Sequence, residues 1–283
     1  MEEIRTYWTD LFAGYTKEDW LERKKELFSR RQAEILKISG RGHVYEIMQR
    51  DGEDHGSYNL HLSYFIRQGD CFYIEEQLLP MQFTLKGGKL SKHEEADKGS
   101  IETFTPPPAP FERKDGLRAP EQPYNRLAAV QYAERWWNDF NPQYHRFHND
   151  DCTNYISQCL FAGGAKMWGS PNRSRGWWYS GKSWSYSWAV AHSFRWYLSG
   201  TYQGLKTKEV ESPQELVPGD IICYDFQGNG KFDHNTIVVN KDAEGMPLVN
   251  AHTNNSRNRY WAYQDSAAWT PNCQYKFFHI LSV

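Results

Sequence analysis

One stretch of this sequence is arranged for covalent chemistry: Asp150-Asp151-Cys152-Thr153-Asn154-Tyr155-Ile156-Ser157-Gln158. Tyr155, Ile156, Cys159 and Leu160 follow Cys152 at the spacing of one helical face. The spacing predicts a helix with the thiol in its first turn, where unpaired backbone N–H groups and the helix dipole favour a thiolate. A nucleophilic thiol needs a base. His234 heads the β-type run His234-Asn235-Thr236-Ile237-Val238-Val239, and a further run, Pro247 to His252, reads as its hairpin neighbour. Asn250 and His252 lie two apart and so share a face, and either could engage the far nitrogen of His234. In a Cys–His pair oriented by a third polar group, the imidazole takes the thiol proton and the third group fixes its tautomer. The expected triad is Cys152, His234 and Asn250, with His252 as the alternate third member. Asn149, Asp150 and Asp151 are candidates for shaping an oxyanion site, by position alone.

The elements that must position these residues can be read from composition and pattern. At 283 residues the chain has room for one large domain or two ordinary ones. Its aromatic content of 16%, with 12 Trp and 18 Tyr, suits a ring-built core or a ring-lined cleft. A net charge of −2 argues against nucleic acid as a partner. No apolar run reaches the length of a membrane span. Met1-Glu2-Glu3-Ile4 has neither the basic start nor the apolar core of a secretory signal, and the five cysteines form no disulfide framework. A cytoplasmic protein is the expectation.

Residues 1–104 read as a small α+β domain. Trp20, Leu27, Phe28, Ile35 and Ile38 mark a helix from Thr16 that Gly40 ends. About four antiparallel strands follow, near Val44–Met48, Leu60–Ile66, Cys71–Ile74 and Met81–Leu85, with a packed thiol expected at Cys71. A stiff linker at 105–122 contains Pro106-Pro107-Pro108. The second domain, 123–283, opens with a helix carrying Leu127, Val130, Ala133, Trp136 and Trp137. Its ring-rich loop 176–188 offers Trp177, Trp178, Tyr179, Trp184 and Trp188 to a sugar or peptide, or else roofs a core. Asp225, Gln227, Asn229 and Asp233 have the stagger of a calcium loop, but no carboxylate closes it, and a glycine turn explains the same letters. No metal and no cofactor is expected.

These motifs in order, Asp151-Cys152-Thr153-Asn154-Tyr155-Ile156-Ser157-Gln158, Pro218-Gly219-Asp220, Asp233-His234, Asn250-Ala251-His252-Thr253-Asn254, Tyr260-Trp261-Ala262-Tyr263 and Trp269-Thr270-Pro271, resemble the bacterial putative amidase domain family. That family is similar to the CHAP and NlpC-type amidohydrolases of the papain-like fold, whose order of Cys, His and Asn this chain shares. The resemblance runs from about Tyr124 to the C-terminus. It implies an α+β fold in which the Cys152 helix packs on an antiparallel sheet bearing His234 and the third polar residue. It also implies a cysteine amidohydrolase or peptidase acting on a peptide or peptidoglycan-like amide. A non-catalytic glycan- or peptide-binding module and a cysteine acyltransferase are the alternatives.

Overall fold

The computed structural model describes residues 1–96, 123–147, 150–200 and 203–281, so the linker expected at 105–122 lies outside the described residues. The chain forms two units, one comprising Met1–Ser100 with Gln264–Ala267, the other Ile101–Tyr263 with Ala268–Val283.

The first unit opens with two helices, α1 (Glu2–Ala13) and α2 (Asp19–Arg30). An antiparallel meander follows: β1 (Ala33–Arg50), β2 (Glu53–Gln68), β3 (Cys71–Lys86) and β4 (Lys89–Glu95). Asp51-Gly52 and Gly87-Gly88 make the tight turns, all four residues at positive φ, as a two-residue hairpin requires. The expected alternation is present on β2, where Tyr58, Leu60, Leu62, Tyr64 and Ile66 are buried. Ile4, Trp8 and Leu11 of α1 and Leu21, Leu27 and Phe28 of α2 are buried with them.

Three expectations for this unit are corrected. The helix does not run on to Gly40: the chain turns at Gln32, with φ of 54°, and enters β1. Ile35 and Ile38 are β-branched and suit the strand, while Gly40 and Gly42 sit against Leu60, Leu62 and Tyr58. The runs at 71–74 and 81–85 are one strand, within which the Pro80 carbonyl accepts the Ala96 N–H. Cys71 is exposed at the head of that strand, not packed.

This unit also buries a charge. Lys24 donates to Glu75 and, at 3.0 Å, to Asp265, with its ammonium 4.8 Å from the centroid of the Tyr64 ring.

The second unit carries α3 (Arg126–Trp136), α4 (Cys152–Ala162), a two-residue hairpin β5 (Tyr179–Ser180) and β6 (Ser183–Trp184), then α5 (Tyr186–Ala189) and α6 (Ala191–Gly200). Six strands follow: β7 (Thr207–Val210), β8 (Ile221–Asp225), β9 (His234–Lys241), β10 (Pro247–Ala251), β11 (Ser256–Tyr260) and β12 (Gln274–Ile280). These six are antiparallel neighbours in the order β11-β10-β9-β8-β12-β7.

This sheet is buried on both faces, which is why β8 and β9 read as dense apolar runs instead of alternating. Ile221, Cys223, Ile237, Val239, Phe278 and Ile280 pack with Tyr155, Ile156, Cys159 and Leu160 of α4. On the other face Ile222, Tyr224, Val238, Val249 and Phe277 pack with Tyr263. The Pro218-Gly219-Asp220 turn pins the sheet to α3. The fully buried Asp220 carboxylate accepts from Arg126, the Val217 and Ile280 N–H groups, and pairs with His279.

The architecture is mixed α+β with an antiparallel sheet, as expected. Among the described residues no helix is long and apolar enough to cross a membrane.

Candidate active site

The thiol sits at the start of α4, and the polar letters around it are spent on holding the chain there. Asp151 is the N-cap, but its carboxylate does not cap the helix. It accepts the Phe147 N–H at 3.1 Å and the Asn154 amide at 2.9 Å, and its other oxygen lies 2.8 Å from His252 Nδ1. Asn154 also donates to the His145 carbonyl and accepts from the Trp188 indole. The helix is buried on all sides from Cys152 to Leu160, so its polar side chains are paired, not solvated. Ser157 bonds the Trp188 carbonyl and the Trp177 indole, and Gln158 accepts from Tyr132.

Cys152 itself is completely buried. Its thiol donates to Asp150 Oδ1 at 3.4 Å and lies 3.6 Å from Thr153 Oγ1. Thr153 Oγ1 in turn accepts from the Asn235 side-chain amide, so the start of α4 is tied to the strand that His234 heads. Burial first, and then the Asp150 charge, push the thiol well above its ordinary range. The thiolate expected from the helix terminus is therefore not the resting state, because desolvation outweighs the dipole and the hydrogen bonds. Asp150 is exposed over its outer surface, yet its carboxyl is enclosed enough to be pushed up as well, by burial first and then by Asp151 and Asp233.

His234 is delivered by a tight connection. Asp225 accepts the N–H groups of Gly228, Asn229 and Gly230, and Asp233 returns its N–H to the Tyr224 carbonyl. The segment that could be drawn as a calcium loop is thus a turn built around one carboxylate. Along β9 the side chains alternate. Asn235 faces α4 and donates to Thr153 Oγ1 at 2.8 Å, whereas His234 shares its face with Thr236 and Val238. Its imidazole packs beside Tyr224 and Phe226, and Nε2 lies 3.3 Å from Tyr263 Oη. Among the described residues the Cys152 thiol makes no hydrogen bond to this ring; the two segments are joined through Thr153 and Asn235.

The other expected residues are placed as follows. Asn250 lies opposite Ile237 on β9, donates to Glu134 Oε1 at 2.8 Å and accepts the Asn258 N–H at 2.9 Å. In this structure its side chain joins α3 to β11. His252 is held between Asp151 and the Trp136 carbonyl, stacked at 3.9 Å on Tyr155, so it braces the helix start. Asn149 lies outside the described residues. The ring-rich loop is mostly roof: Trp177, Trp178 and Trp188 are buried. Tyr179 and Trp184 are half-buried, Tyr179 accepting the His145 N–H and Trp184 stacking on the His145 ring.

Three residues around the thiol and imidazole were not singled out from spacing: Asp150 as the thiol's acceptor, Asn235 and Tyr263. Asn235 was legible as the residue after His234. Tyr263 had no periodic signal, because it follows β11 in a turn, with a left-handed φ of 57°.

A family model described as "Putative amidase domain" matches residues 123–278. An uncharacterized protein of Bacillus subtilis, YhbB, is 48% identical over 271 residues, covering 92% of this chain and 86% of its own length. A second uncharacterized B. subtilis protein, YjcM, is 30% identical over 146 residues, 48% of this chain and 32% of its own. No solved structure matches the chain.

Proposed function

From the premise that the chain belongs to the putative amidase domain family, we propose that it is a cysteine-dependent amidohydrolase with Cys152 as nucleophile and His234 as base. The observation that carries the reading is the buried thiol at the start of α4, whose neighbour Thr153 is hydrogen-bonded to Asn235, the residue after His234. The resting thiol is protonated and turned to Asp150. Productive attack requires it to rotate to the imidazole, an adjustment that catalytic hydrogen bonds often complete only in the substrate complex. His234 takes the thiol proton, and the sulfur attacks the amide carbonyl. The N–H groups of the first turn of α4 stabilise the oxyanion. The imidazolium then gives its proton to the leaving amine, and water releases the acyl group from sulfur.

The substrate class we propose is a peptide or peptidoglycan-like amide. With model amides and muropeptides, Cys152→Ala should abolish turnover and His234→Ala should lower it by about 10²–10⁴-fold. Equal turnover by Cys152→Ala would sink the mechanism. Adding an amine acceptor to the same assay separates hydrolysis from acyl transfer. The complete burial of Cys152 favours one other reading, a binding module that keeps the fold without chemistry. Retained ligand with no product from the unmodified chain would establish it.

A further inference from the structure

Spacing assigned Asn250 to the base as its third group, and in the structure the Asn250 amide bonds Glu134 and Asn258. We propose that Tyr263 fills this role as a positioning residue for His234, its hydroxyl oxygen accepting the Nε2–H. The proposal rests on the reading of Cys152 and His234 given above and names the residue that makes their proton transfer directional.

Four observations converge. Tyr263 Oη is 3.3 Å from His234 Nε2, and both residues are buried. The two rings lie 5.2 Å apart, and Tyr224 packs against both. Tyr263 holds a left-handed backbone at φ 57°, a conformation that bulky residues adopt only where the surroundings enforce it. The Arg259 guanidinium lies 4.0 Å from the centroid of its ring and fixes the ring plane. Such strain clusters where a side chain must be aimed, and here the aim is at the imidazole.

The chemistry sets the direction of the bond. For the imidazole to take a proton from sulfur, one nitrogen must be unprotonated and facing the thiol. With Nε2–H donated to Tyr263 Oη, that nitrogen is Nδ1. The Tyr263 proton is then directed to Ser256 Oγ, 3.4 Å away and fully buried. When Cys152 gives up its proton, the S–H bond breaks, Nδ1–H forms, and the imidazolium keeps its Nε2–H bond to Tyr263. The ionisable groups around this set are Tyr224 beside the ring, Arg259 behind Tyr263, and Asp150 and Asp233 at the approaches to Cys152 and His234.

The test compares the full chain with Tyr263→Phe and His234→Ala, reading the rate of Cys152 alkylation by iodoacetamide across pH by mass spectrometry. Tyr263→Phe keeps the ring, the Arg259 stacking and the backbone, and loses only the oxygen. It should slow alkylation at neutral pH by about three- to tenfold, the worth of one neutral hydrogen bond, and displace the pH profile. If His234→Ala labels like the unmodified protein, the reading of His234 as base has failed. If His234→Ala is slow while Tyr263→Phe superimposes on the unmodified profile, the proposal for Tyr263 is overturned and the base survives. Nitrogen-15 shifts of the unmodified chain give a second readout that no folding defect can obscure. The expected tautomer is protonated at Nε2, and the Nδ1–H tautomer overturns the proposal.

Discussion

At the scale of the residue, the telling group is Asp150. Its carboxyl accepts from the Cys152 thiol, with sulfur and oxygen 3.4 Å apart, and its charge adds to burial in pushing the thiol up. Asp150→Asn removes the charge and keeps the shape. Iodoacetamide should therefore alkylate Cys152 faster in this variant at every pH where the native carboxyl is ionised, and at the same rate where it is protonated. Stability follows the same sign. A carboxyl whose folded pKa is raised favours the folded state below its unfolded pKa, and that contribution is lost as pH rises through the folded value. Asp150→Asn should accordingly raise the melting temperature at neutral pH and leave it unchanged in acid. An unchanged neutral melting temperature with unchanged labelling would mean that the carboxyl is solvated. In the mechanism proposed above, the thiol is released when substrate displaces Asp150.

At the scale of the element, the turn between β8 and β9 decides where His234 stands. Asp225 is buried and accepts three consecutive loop N–H groups, so Asp225→Ala would strand donors inside the protein. The expected cost is on the order of 3 kcal/mol, measurable by urea denaturation. Calcium should leave the melting temperature where it is, because the carboxylate oxygens are already engaged. Elements like this one set how far the sequence could be read. The α4 helix was legible because Tyr155, Ile156, Cys159 and Leu160 keep one period, and β9 because its run is dense in β-branched residues. Asn250 and Tyr263 were not. A period of two says that Asn250 and His252 leave the strand on one face, but not that Glu134 waits there. Tyr263 lies beyond the last periodic residue of β11, where a left-handed turn, invisible to pattern, aims it. The same limit hid the end of α2: Ile35 and Ile38 continue a helical spacing by coincidence, and the reversal at Gln32 carries no glycine to announce it.

At the scale of the molecule, the first unit is closed around a buried ion cluster. Lys24 is 2% exposed, and so is its partner Glu75, while Asp265 is 3% exposed over its side chain. Removing the cation with Lys24→Met leaves the buried Glu75 and Asp265 carboxylates without their shared ammonium. The expected loss is about 3–5 kcal/mol, read from chemical denaturation. A loss of under about 1 kcal/mol would place the cluster among ordinary surface pairs. Lys24 and Asp265 stand 241 positions apart in the chain. Protein synthesis at about 5–20 residues per second puts on the order of ten to fifty seconds between the emergence of one and the other. The unit made first is thus completed last: α2 and its meander can collapse early, but their buried ammonium gains its second counter-ion only when nearly all of the second unit has left the ribosome.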